Sequence, residues 1–98
     1  MNIVICDAIR AHRLLRFVYD GYERIVEPHA YGVNTAGHEA VSGWLAGGWS
    51  ASHPEPGWRM FLVSDMAQVA ALAEGFAAPR EGYNADSPAF RELYCHLE

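Results

Sequence analysis

The period of the hydrophobic positions changes along this chain, and each change predicts an element. Between Asn2 and His12 the residues Ile5, Ala8, Ile9 and His12 recur at helical spacing, with Asn2 placed to cap them and Asp7, Arg10 and Arg13 off the stripe. This predicts a short amphipathic helix lying over a sheet or barrel. From Leu15 the period becomes two: Leu15, Phe17 and Tyr19 share one face, Arg16 and Val18 the other. Asp20-Gly21 then separates LLRFVY from YERIV. A type I′ turn needs positive φ, which Asp-Gly tolerates, so a tight hairpin is predicted here. On the second strand Arg24, Val26 and Pro28 alternate with Ile25, Glu27, His29 and Tyr31. Pro28 has no N–H to give to a ladder, so it marks an edge or a sharp bend.

Gly32 to Gly37 reads as a turn-rich connection and Glu39 to Ala46 as a third strand. Gly47 to Gly57 carries two prolines, a loop long enough to be a candidate binding loop, with Trp49 and His53 as its only large side chains. Trp58 to Val63 is a fourth strand, and Ser64-Asp65 can cap a helical turn. The alanine-rich segment Met66 to Phe76 reads as helix on propensity alone. At the end, Ser87-Pro88 looks like a cap followed by proline at the first helical position. Phe90, Leu93, Tyr94 and Leu97 then repeat at helical spacing, predicting a C-terminal helix over about 87–97. The linker before it is polar but keeps Tyr83 as an anchor.

Composition makes this one small domain of 98 residues, 51% hydrophobic and 12% aromatic. Its seven basic residues are all arginines, set against twelve acidic ones, for a formal charge of −5. An acidic sum with arginines scattered from Arg10 to Arg91 argues for weak or absent binding of nucleic acid, whose affinity comes mostly from phosphate neutralisation. MNIVIC is too short an apolar run for a leader, and no stretch of about 18 apolar residues predicts a membrane span. Cys6 and Cys95 fall in two predicted helices near opposite ends, and the simplest reading is a pair of reduced thiols in a cytoplasmic protein.

The sequence carries no phosphate-cradling glycine motif, nucleophile elbow, CxxC or HExxH. Of the five histidines only His29 and His38 are placed to meet, with Glu27 or Glu39, and no ligand spacing requires a metal there. No cofactor and no catalysis are therefore expected. An arginine beside aromatics on a strand can grip a carboxylate, phosphate or base by forked hydrogen bonds and stacking. The candidate ligand-binding residues are Tyr19, Arg24, Glu27, His29 and Trp44. The alternative is a structural or interaction module, a homodimer or a docked partner, in which Trp44, Trp49 and Trp58 bury against a second protein.

Asp7-Ala8-Ile9, then Phe17-Val18-Tyr19, then Arg24-Ile25-Val26-Glu27-Pro28, a glycine loop, a strand and an aromatic strand ending in Phe61 together resemble a WYL domain over roughly residues 4–76. Tyr19 followed by Arg24-x-x-Glu27-Pro28 is the most specific part. The resemblance implies a small Sm-like or SH3-like β-barrel after an N-terminal helix, and a role in sensing a ligand or nucleic acid within transcription regulation. It also implies that Val69 to Leu72 is a short closing strand, against the alanine propensity. Two features depart from the family: Glu39-Ala40-Val41 keeps only the apolar character of its naming tripeptide, and the strand-four arginines are absent from Phe61 to Met66. The expected fold is mainly β: a five-stranded antiparallel barrel over about 14–76, with one helix before it and one after. A stand-alone, non-catalytic ligand-binding or regulatory module is the expected function.

Overall fold

A computed structural model describes residues 1–48 and 55–97. Helix α1 (Ile3–Arg10) leads into β1 (Arg13–Tyr19), β2 (Tyr22–Asn34), β3 (Glu39–Gly48), β4 (Gly57–Leu62), a 3₁₀ turn (Val63–Asp65), β5 (Ala67–Gly75) and β6 (Phe90–His96). All pairings are antiparallel, in the order β4-β3-β2-β1-β5, with β6 added on β2.

The β1–β2 hairpin turns at Asp20 (φ 53°) and Gly21 (φ 79°), with Tyr19 opposite Tyr22, as the Asp-Gly signal predicts. Strand β2 is the spine of the sheet. Along one side it pairs with β3 from Arg24 to Val33; along the other it pairs first with β1 up to Val26 and then with β6 from Ala30. Pro28 sits at that hand-over, where the β3 register also shifts between Pro28 and Ala30. A residue without an N–H falls where the ladder is interrupted, so the missing donor is not missed.

Helix α1 forms where its stripe predicts. Asn2 Oδ1 accepts from the N–H groups of Val4 (2.9 Å) and Ile5 (3.3 Å), and Ile5, Cys6, Ala8 and Ile9 are buried. The helix packs on a core of Leu15, Phe17, Val26, Tyr31, Val41, Leu45 and Phe61. Tyr31 Oη accepts from the Asn2 N–H at 2.7 Å and donates to Glu39, which ties the helix start to the spine.

Three expectations are corrected. The C-terminal segment is strand β6, not a helix. Leu93, Cys95 and Leu97 alternate at period two with Cys95 and Leu97 buried, and pairing with β2 satisfies a backbone that an isolated short helix leaves exposed. Ser87 caps only a turn, its Oγ accepting from Ala89 N–H at 3.2 Å. The thiols are not free: Cys6 and Cys95 form a disulfide with Cα atoms 5.8 Å apart, so they no longer argue for a reducing compartment. The alanine-rich segment is strand β5, as the family resemblance implies and helix propensity does not. The sheet has six strands rather than five, and among the described residues no ladder joins β4 to β5, so it is not closed. Tyr19 reaches across that gap, its hydroxyl accepting from Leu62 N–H at 3.2 Å.

Candidate functional site

The ladder registers set Glu27 of β2, Trp44 of β3 and Trp58 of β4 side by side, and beside them Ala30, Ser42 and Met60. The segment between β5 and β6 is tied to this row by polar contacts made mainly by Arg80. Its Nε and Nη2 donate to the two Glu27 carboxylate oxygens at 2.9 and 2.8 Å, and its guanidinium lies 5.1 Å from the Trp44 ring centre. Its backbone N–H donates to His29 Nε2 at 3.0 Å.

That last bond fixes the histidine. With Nε2 accepting, Nδ1 carries the proton and donates to the Glu27 carbonyl at 2.7 Å, so His29 is neutral with both nitrogens used. It is fully buried among Trp58 (4.7 Å, edge-on), Tyr83 (5.2 Å) and Phe76 (5.6 Å, stacked). Burial, which disfavours the imidazolium, holds its pKa below the ordinary 6.5 against the opposing pull of the Glu27 carbonyl and charge. Trp58 Nε1 donates to the Glu81 carbonyl at 3.0 Å, and Tyr83 Oη donates to the Leu97 carbonyl at 2.8 Å. The connection is thereby a strap, pinned at Arg80, Glu81 and Tyr83.

Between the strap and β4 lies a groove of about 310 Å³. Trp58, Met60, Tyr83 and Phe90 give it apolar and aromatic walls, while Ser42 and Asn84 supply hydrogen-bonding groups. A second groove, of about 460 Å³ between α1 and β6, is bordered instead by Arg10, His12 and His96 around the disulfide.

The five candidate residues divide into two places. Glu27, His29 and Trp44 come together under the strap as its anchorage. Tyr19 and Arg24 lie at the hairpin end, where the Arg24 guanidinium is 5.6 Å from the Tyr19 ring centre and 5.9 Å from that of Phe61. Arg24 is only 8% exposed; Nη2 donates to the Tyr19 carbonyl at 3.2 Å, and Nε has no partner among the described residues. Trp49 and His53 of the proposed binding loop lie outside the described residues. His38 stays exposed on the β2–β3 turn, and His29 has no nitrogen left for a metal. No group of three or more metal-ligating side chains is found among the described residues.

Sequence reasoning missed Arg80 and Phe76, which make the site. Neither lies on a periodic stripe, and Arg80 reads in the sequence as one more scattered arginine. Tyr83, singled out as an anchor, was the one usable signal. Among the described residues no helix is long and apolar enough to cross a membrane. Comparison with protein-family models, with curated proteins and with solved structures returns no match to this chain.

Proposed function

We propose that this chain is a non-catalytic small-ligand-binding module whose ligand lies in the groove between β4 and the strap. The observation that carries the reading is preorganisation. The wall bearing Tyr83 is held by the forked Arg80–Glu27 pair, the Arg80–His29 bond, the Trp58–Glu81 bond and the Tyr83–Leu97 bond, so the groove exists before any ligand arrives. Aromatic walls with the hydroxyls of Ser42 and Ser87, the amide of Asn84, and an Arg59 already donating to the Trp58 and Glu55 carbonyls suit a flat, largely apolar ligand with a hydrogen-bonding edge. His29 and Glu27 are spent on the anchorage, which leaves this groove without an acid–base pair for chemistry. The order of a helix, a tight hairpin and three further strands supports a divergent WYL-like module. Tyr19 bridging from β1 to the outer edge of β4 supports an Sm-like or SH3-like barrel closed by side chains. A thermal-shift screen of neutral heteroaromatic compounds, repeated on Ser42→Trp, tests the reading. At least one compound class should raise the wild-type midpoint and lose its effect in the groove-filling variant. No stabilising class, or a shift that survives Ser42→Trp, refutes it.

A homodimer is the second reading, favoured by the free edge of β5. Among the described residues that strand pairs only with β1; it runs for nine residues and contains no proline, lysine or arginine to block a further strand. In an antiparallel register centred on Ala71, Gln68 would face Glu74 of the other copy, so like charges do not meet. Light scattering at micromolar concentration should give twice the chain mass for the wild type and the single mass for Ala70→Lys/Ala73→Lys. A monomeric wild type refutes it.

A further inference from the structure

Arg24 lies outside the groove and presents a different problem. The residue is only 8% exposed, yet the ion pairs among the described residues are Arg16–Glu23 and Arg80–Glu27, and neither involves it. A guanidinium cannot shed its proton to relieve the burial. Tyr19 and Phe61 attend the cation at 5.6 and 5.9 Å, which offers partial compensation through the ring faces. Ring faces do not accept the in-plane N–H bonds, however. Of these, Nη2 has the Tyr19 carbonyl at 3.2 Å, while the buried Nε has nothing among the described residues. A buried donor left unpaired and a buried charge left uncompensated are each retained at a cost to stability.

We infer that Arg24 is the counter-charge for a small oxyanion, a carboxylate or a phosphate group, bound at the hairpin end beside Tyr19 and Phe61. The forked guanidinium matches two oxygens of either group, and the rings hold its plane in place. Because little of the residue reaches solvent, the site takes one oxyanion group of a small molecule and not a charged macromolecular surface. This site is separate from the groove, whose lining includes none of Arg24, Tyr19 and Phe61.

The experiment compares melting temperatures of the wild type, Arg24→Met and Arg24→Lys at pH 7 in sodium chloride, sodium acetate and sodium phosphate of equal ionic strength. Arg24→Met should fold, because an apolar side chain of similar volume commonly replaces a buried charge without loss. The wild type should show a saturable rise in acetate, in phosphate or in both relative to chloride. Acetate alone identifies a carboxylate ligand and phosphate alone a phosphate ligand. Arg24→Met should lose the saturable component, and Arg24→Lys, which keeps charge but not the fork, should need at least about tenfold more anion. Equal melting temperatures in the three salts for the wild type overturn the inference, as does the same rise in Arg24→Met or an unaltered midpoint concentration in Arg24→Lys. Ser42→Trp should respond to anions as the wild type does, so failure of the groove reading leaves this result standing.

Discussion

Reduction of the Cys6–Cys95 bond should cost this domain a large part of its stability without changing its folded shape. The bond joins α1 to β6 across 89 positions of sequence, with the two residues 0% and 6% exposed. In the loop-closure view, a cross-link spanning so much chain removes unfolded-state entropy worth about 4.5 kcal/mol. A domain of this size has a total stability of roughly 5–15 kcal/mol. At about 4–8 °C per kcal/mol, the expected fall in melting temperature is on the order of 20 °C or more. Paired melts with and without a phosphine reductant, together with the Cys6→Ala/Cys95→Ala variant, measure it. Urea titrations of the same samples should show a larger m for the reduced protein, because its unfolded chain exposes more surface. Far-UV circular dichroism of the native state should not change. A fall of less than about 5 °C with an unchanged m would refute the reasoning, since the cross-link would then not be restraining the unfolded chain.

Burial keeps the native-state pKa of His29 below the 6.5 of an ordinary imidazole, so the unfolded chain takes up the proton first. Stability should therefore be intact above pH 6.5 and decline as pH falls through 6.5 toward the native value, which urea midpoints from pH 7.5 to 5.5 will register; His29→Gln should lack that component. Tyr31, with its phenol buried and donating to Glu39, is pushed up from 10.0 to about 12. Stability should be lost as pH rises from about 10 toward that native value, more steeply in the wild type than in Tyr31→Phe by alkaline denaturation. Gly32→Ala would set a Cβ against the Glu92 carbonyl and 2.8 Å from Leu93 Cα. A loss of about 1–3 kcal/mol in urea is expected, whereas an unaffected variant would show that β6 does not pack on β2 there. Labelled single-stranded oligonucleotides should bind weakly or not at all at physiological salt. With a net charge of −5, Arg24 buried, and Arg16, Arg59 and Arg80 engaged in the protein's own contacts, few arginines remain for phosphates.

The parts of the fold that are legible in the sequence are those settled by neighbours. Asp20-Gly21 needs only its own backbone angles to make the hairpin, and Asn2 with the Ile5-Ala8-Ile9 stripe suffices for α1. Residues 90–97 satisfy two periods at once, and the choice belongs to β2, more than fifty positions away, which offers an unpaired edge from Ala30 to Asn34. The alanines of β5 are equally indifferent locally; β1 decides for them. At the candidate site Glu27 and His29 stand out as polar residues on an apolar strand. Their purpose depends on Arg80, 53 and 51 positions onward. No spacing rule reaches that far, and the pairing of Cys6 with Cys95 lies beyond it for the same reason.

The divided pairing of β2 has a consequence for how the protein is made. Synthesis runs from the N-terminus, so β1 is ready before β2 leaves the ribosome, and the first half of the spine is covered almost at once. The second half waits for β6, the last of the described strands to emerge. Until then its open edge is a template on which a neighbouring nascent chain can add a strand. Emergence of β6 closes that window in one step, bringing Cys95 to Cys6 and Leu97 N–H to the His29 carbonyl at 2.8 Å. Chains that stall or are truncated before Phe90 should thus accumulate as aggregates on ribosome release, while chains that carry β6 should not.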